Sequence, residues 1–279
     1  MGPIARSHHR SLRSRLCRWA VLLTPALLML APGPAVAGYL GRPDASTPLY
    51  AFENGFDMDR TQRTVYVASP SNIDVAPTVT FNSTRYLVRE SYGWGRVFGI
   101  PVNVDALLGF SLAKVNFGTV IMQTGPSFWE TYAPGTTGPG ENFRGLSFGQ
   151  SYGASYGAAI RGKLFKWKGG QVGVGAQLLK SASTDTRLPA MRLRYNEWDA
   201  FLGAMHTGPF IGFYYGVNAS ALVGELKTPD PDFAMDLEQM DLFGVYAGMD
   251  FRFYRNLSFG TELRIMNQLS YSARMTYHY

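Results

Sequence analysis

From Leu257 to Tyr279 the odd positions are mostly apolar or aromatic: Leu257, Phe259, Leu263, Ile265, Leu269, Tyr271, Met275, Tyr277 and Tyr279. The even positions carry Ser258, Glu262, Arg264, Gln268, Ser270, Arg274 and His278. Successive side chains of a β-strand point to opposite faces, so this period of two predicts one apolar face and one polar face. At about 3.3 Å per residue the stretch would reach roughly 75 Å, far more than a bilayer, which predicts two strands broken near Asn267.

The same pattern recurs upstream. A first strand starts at Tyr50, with Phe52, Phe56 and Met58 on one face and Glu53, Asp57 and Asp59 on the other, and a polar loop is expected from Thr61 to Asn82. A second strand covers Ser83–Trp94, where Glu90 falls on the apolar face and predicts either a cost at the midplane or a bulge. Val102–Val115 alternates cleanly, and a Gly- and Pro-rich insertion follows from Gly118 to Leu146. The fourth strand, Phe148–Trp167, is preceded and lined by Ser147, Gly149, Ser151, Gly153, Ser155, Gly157 and Ala159 on its inner face, a wall almost without side chains. Gln171–Ser181 returns after Lys168-Gly169-Gly170. Arg192–Ala204 changes phase between Tyr195 and Glu197, which predicts a bulge near Asn196. Strands at Ile211–Val223 and Asp241–Tyr254 flank an acidic loop, Leu226–Gln239, and Arg255-Asn256 marks a tight hairpin.

These segments make ten strands of dyad period, with short turns (Gly95–Pro101, Lys168–Gly170, His206–Pro209, Arg255-Asn256) alternating with mostly longer loops. That combination predicts an all-β fold, a transmembrane antiparallel up-and-down β-barrel, closed so that every backbone group is paired in lipid. Ten strands is the expected count. Eight is the alternative, if Tyr50–Trp94 serves as a plug or cap.

The amino terminus follows other rules. Arg6, Arg10, Arg13, Arg15 and Arg18 precede an apolar run from Trp19 to Leu30, then Pro32, Pro34 and Ala35-Val36-Ala37. This reads as a secretory signal cleaved after Ala37, since the run is short for a spanning helix. Residues 1–37 are then the leader, 38–48 a lead-in and 49–279 the barrel. Loss of the five leader arginines takes 26 basic residues to 21 against 20 acidic ones. The basic balance is thus a property of the leader and gives no argument for nucleic acid. Cys17 leaves with the signal, so no disulfide or thiolate chemistry is expected, and with only His206 and His278 remaining no metal or other cofactor is expected.

The chain closes on Tyr277-His278-Tyr279, an ending that resembles the aromatic C-terminal strand of bacterial outer-membrane β-barrels. With the leader and the strand periodicity, the mature chain resembles the superfamily of small outer-membrane β-barrel proteins. The resemblance implies a monomer in the outer membrane of a Gram-negative bacterium. Its implied partners are outer-membrane lipid and lipopolysaccharide, the barrel assembly machinery and, where the lumen conducts, small solutes. The roles implied are structural, adhesive or surface-binding, with a narrow porin-like channel as the competing alternative and an enzyme a distant one.

Candidate chemistry is sparse. Some ten-stranded barrels are proteases, which need an Asp-x-Asp pair and an Asp-His pair near the outer rim. Asp57-Met58-Asp59, near the outer end of the first strand, has the first spacing, as does Asp230-Pro231-Asp232, but both histidines fall towards the opposite end, so no catalytic activity is expected. Inward charges of both signs, Arg85, Arg89, Asp105, Arg161, Lys163, Glu197, Asp199, Asp250, Arg252, Glu262, Arg264 and Arg274, either line a narrow ion path or fill the interior with salt bridges. A small barrel has little free space, which favours filling. The acidic loop, with Asp230, Asp232, Asp236 and Glu238, is read as solvated rather than as a cation site. The insertion, with Phe128, Trp129 and Tyr132, is the better candidate for an interaction, as loops of that length commonly fold over or bind something. Phe201, Tyr214 and Tyr246 are expected to lean into the space beside the small-residue wall.

Overall fold

The structure is a computed structural model. It describes residue 43 and residues 52–68, 73–75, 78–122, 142–185, 191–227, 234–239, 241–254 and 256–278, without the side chains of 52, 73–75, 117–122 and 142–151. The leader with Cys17, the loop residues Phe128, Trp129, Tyr132, Asp230 and Asp232, and Tyr279 lie outside the described residues.

Among the described residues twelve strands follow in sequence: β1 (Phe52–Ala68), β2 (Ile73–Val75), β3 (Thr78–Val97), β4 (Ile100–Met122), β5 (Asn142–Trp167), β6 (Gly170–Thr184), β7 (Arg192–Thr207), β8 (Ile211–Lys227), β9 (Met235–Gln239), β10 (Phe243–Tyr254), β11 (Leu257–Ile265) and β12 (Leu269–His278). Ten of them close a ring, β1-β3-β4-β5-β6-β7-β8-β10-β11-β12 and back to β1, every neighbour antiparallel. Closure joins the two ends of the described barrel, with Glu53 opposite His278. The stretch from Leu257 breaks after Ile265, where Met266 has a φ of 86°.

The outer face of this ring is an apolar belt. Leu108, Ile160, Val174, Leu178, Leu202, Phe213, Val217, Met249, Leu263 and Tyr271 all face outward and are exposed. Trp94, Phe98, Phe165, Trp167, Phe210, Phe253 and Tyr254 crowd the end that carries the short turns. An apolar band edged by aromatics is what a lipid-facing barrel requires.

Strand ends are where the sequence pattern misled. β1 runs on through Thr61 to Ala68 and pairs with β3 up to Tyr66 opposite Thr78, so most of the expected Thr61–Asn82 loop is strand. β4 and β5 likewise extend into the insertion, pairing Gly118 with Leu146 and Ile121 with Asn142. β9 lies within the acidic loop. It pairs with β8 (Leu226 opposite Met235) and with β1 (Ala68 opposite Asp236), above the point where β10, β11 and β12 have ended. The ring of ten therefore becomes a ring of eight, β1, β3–β8 and β9, which we call the head.

Neither the bulge expected near Asn196 nor the one offered as an alternative at Glu90 is present. Register runs unbroken through Glu90, which faces outward between Asn54 and Ala106; the shift in β3 falls at Gly93/Gly95 instead. No shift occurs at Asn196 either, as β7 keeps its phase from Arg192 to Thr207 against both neighbours. Met191, Leu193 and Tyr195 point inward like Glu197, Asp199 and Phe201. The apparent slip is a reversal of environment: around the belt lipid demands apolar groups outside, and in the head water demands them inside.

Candidate functional site: a closed and charged lumen

The belt-level interior is built by the inward positions of all ten strands, and its charges are fully buried. On one side Asp105 binds Arg161 through both oxygens (Arg161 Nη2 to Oδ1 2.9 Å, Nε to Oδ2 3.0 Å) and Arg89 Nη1 at 2.8 Å. Arg89 Nε donates to Asp57 at 2.7 Å, and Asp57 also faces Arg274 Nε at 3.4 Å. Arg85 Nε forks onto Asp59 at 2.8 and 3.0 Å while its Nη1 bonds Glu197. Glu197 is shared with Arg63 at 3.4 Å, and Arg63 reaches Gln239 of β9 at 2.6 Å. Arg264 joins Glu262 at 2.9 Å and Asp199 at 3.5 Å. Removing such charges from water is costly, and the network offsets part of that cost, with Arg85 Nη2, Glu197 Oε1 and Arg264 Nη2 among the buried atoms that have no hydrogen-bond partner in the described residues.

Apolar layers flank the charges. Phe201, Met205, Tyr214 and Tyr246 form a cluster towards the short-turn end. There the main chain of Pro43 enters: its carbonyl accepts from Gln171 Nε2 at 3.3 Å and lies against Gly173. In the head Val65, Phe81, Val115, Leu193, Tyr195, Leu222, Leu226, Met235 and Leu237 fill the interior, with Phe81 and Tyr195 edge to face at 5.1 Å.

The small-residue wall on β5 is occupied otherwise than by aromatic rings. A Cβ at Gly153 would meet the Ala182 carbonyl, and one at Gly157 the Leu178 carbonyl, so the absent side chains admit the neighbouring backbone. Leu179, Leu87 and Leu107 then pack beside Ala159. Phe201, Tyr214 and Tyr246 turn the other way and lie over Gly175, Gly248, and the Gly203–Gly216 pair, glycines of adjacent strands.

Of the charges singled out from the sequence, the structure brings Arg85, Arg89, Asp105, Arg161, Glu197, Asp199, Asp250, Glu262, Arg264 and Arg274 into the buried interior. Lys163 is half-buried and Arg252 exposed. Both keep the inward phase but stand at the short-turn mouth, where the interior meets water. Asp57 and Asp59 lie inside the lumen on Arg89 and Arg85 rather than near an outer rim, because β1 continues well beyond them. His206 stacks on Tyr215 and His278 contacts Glu53 at 3.1 Å, both at the short-turn end. Asp236 and Glu238 stand exposed on the outer face of β9. Arg63 and Gln239 were missed, since both fall in segments that read as loops; the signal was that Arg63 continues the odd phase of Asp57 and Asp59.

No family model matches the chain, and no curated protein does. Similar solved structures include an outer-membrane channel from Pseudomonas putida F1, 10% identical, covering 86% of this chain and 100% of that one at a TM-score of 0.44. They also include the outer-membrane protease OmpT from Escherichia coli (8% identical, 85% and 99% covered, TM-score 0.40) and the toluene transporter TbuX from Ralstonia pickettii (8%, 84% and 90%, 0.34). These are remote likenesses, and the activities named belong to those proteins. By its own ring closure, outer apolar belt and aromatic edge, the chain is a ten-stranded β-barrel of the outer-membrane type.

Proposed function

We propose that the protein is an exported outer-membrane barrel with a sealed interior, whose role is structural or surface-binding, carried by the head. The leader directs export, with cleavage after Ala37, and the head stands on the outer side. The observation that carries this reading is the lumen, which is filled in succession by an aromatic cluster, a salt-bridged layer and an apolar core. An ion path needs a continuous wet route, and the described inward side chains, with almost no exposure, argue against one. Purified protein in planar bilayers is expected to be electrically silent. Reproducible unitary conductance steps would overturn the sealed reading, and recovery from the soluble periplasmic fraction would overturn the location.

A further inference from the structure

Just above the belt, the outer face of β6, β7 and β8 forms a small grid. Its lowest row is Lys180–Asn196–Val223, the next Ala182–Arg194–Glu225, and the top Thr184–Arg192–Lys227. Directly beneath lies the row Leu178–Trp198–Ala221, the edge of the belt, with Tyr156 beside Lys180 on β5. Lys180, Arg192, Arg194 and Lys227 are all exposed. Arg192 stands directly opposite Lys227, a pairing of like charges that costs stability unless an anion lies between them. Glu225 offsets one charge, meeting Lys227 at 3.3 Å; among the described residues Lys180, Arg192 and Arg194 form no ion pair.

Height decides what anion fits. Each row adds two residues along a tilted strand, about 5 Å along the barrel axis. The polar headgroup layer of a leaflet is about 5–8 Å deep. Counted from the belt-edge row, Lys180 stands about 5 Å up, within that layer, Arg194 about 10 Å up, just past its outer surface, and Arg192 and Lys227 about 15 Å up, beyond it, on long side chains that reach back towards it. We propose that this face binds the phosphates of a phosphorylated glycolipid of the outer leaflet, lipopolysaccharide, with Trp198 and Tyr156 against its acyl region. Guanidinium groups suit phosphate through paired N–H donors, and a membrane-anchored phosphate reaches a patch that continues directly from the lipid belt. The inference rests on the outward placement of the head proposed above.

The test is a titration of the folded barrel in detergent micelles, whose outcome does not depend on where the barrel sits in the cell. The titrants are purified lipopolysaccharide, the same lipid stripped of its phosphates, phosphatidylglycerol and inorganic phosphate. Binding of intact lipopolysaccharide is expected to weaken about tenfold or more in a Lys180→Ala, Arg192→Ala, Arg194→Ala variant and comparably on removal of the lipid phosphates. An Arg60→Ala, Lys114→Ala variant, altered elsewhere on the outer face, should bind within about twofold of wild type. Heat-modifiable migration verifies folding, and Arg194→Gln alone, which preserves bulk, should still weaken binding if the triple variant fails to fold. Wild-type affinity in the folded triple variant overturns the site. Equal binding of the stripped lipid overturns phosphate recognition, equal binding of phosphatidylglycerol overturns the assignment to glycolipid, and equal competition by inorganic phosphate reduces the face to a simple anion site. A barrel found in another membrane would retract the placement while leaving the titration as it stands.

Discussion

Arg85 is the sharpest probe of whether the interior is sealed. It has no exposed surface, forks onto Asp59 at 2.8 and 3.0 Å, and bonds Glu197. Arg85→Met preserves most of the stem but removes the charge, leaving Asp59 without its arginine and Glu197 with Arg63 at 3.4 Å. Breaking one side of a buried pair costs about 3–5 kcal/mol, chiefly because the surviving carboxylate stays buried uncompensated. Asp59→Asn combined with Arg85→Met removes that orphan, so the double variant is expected to regain roughly half of the loss. The assay is equilibrium unfolding in urea from lipid vesicles, followed by tryptophan fluorescence, with the denaturant slope checked for constancy. If Arg85→Met lies within about 1 kcal/mol of wild type, as pairs in high dielectric do, water is solvating Asp59 and the sealed lumen is wrong.

Other substitutions test the two environments separately. Leu108→Arg, on the outer face at belt level, should cost about 2–4 kcal/mol, whereas Thr64→Arg, on the outer face of the head opposite Thr80, should change stability by less than about 0.5 kcal/mol; both are read from the same urea curves. Leu193→Ala in the head core should cost about 2–5 kcal/mol. A near-neutral result there would show that the head interior is wet. Gly203→Ala places a Cβ on the Tyr246 hydroxyl and near the Tyr215 carbonyl, and should lower the heat-modification temperature through about 1–3 kcal/mol of overpacking. Gly153→Phe should be worse, since the clash is with the backbone of Ala182 rather than with a ring that can swing away.

Strand number, strand phase and the break near Asn267 were legible because lipid enforces a strict period of two on the outer face. Strand length was not. Thr64, Tyr66, Arg192 and Arg194 are exposed outward residues above the apolar belt, so the apolar signal that marks a membrane strand stops at the belt while the hydrogen-bonded ladder continues. For the same reason Leu193 and Tyr195 looked out of phase, although the backbone never slipped. The interior charges were legible by phase alone. Their pairing was not, because Arg63, Arg85 and Glu197 come from three strands, and period-two reading carries no information on which inward residues share a height. The turning of Phe201, Tyr214 and Tyr246 onto glycines of β6, β7, β8 and β10, instead of the β5 wall, was hidden for that reason too.

The reversal of polarity along single strands has a common cause. On β7 the inward side chains run from Leu193 and Tyr195 through Glu197 and Asp199, while the outward ones run from Arg192 and Arg194 through Trp198 and Leu202. At each of these heights one face is apolar and the other polar. A strand apolar on both faces through its whole length would read as a continuous hydrophobic run, which approaches a spanning helix at about 18 residues. Such a run would be retained in the inner membrane instead of crossing it. On the proposed export route, inward charges at belt level serve secretion as well as packing: lipid fixes the outer face, and passage of the unfolded chain constrains the inner one. The aromatic cluster tests this bound, since Phe201, Leu202, Gly203, Ala204 and Met205 are apolar on both faces. With Ala200 that run is six residues long and ends at exposed His206, and the run Phe210–Val217 leading through β8 is eight, both well below the length at which a run would be retained. In the head the outer face is already polar, and the interior is free to become the apolar core that eight strands can bury.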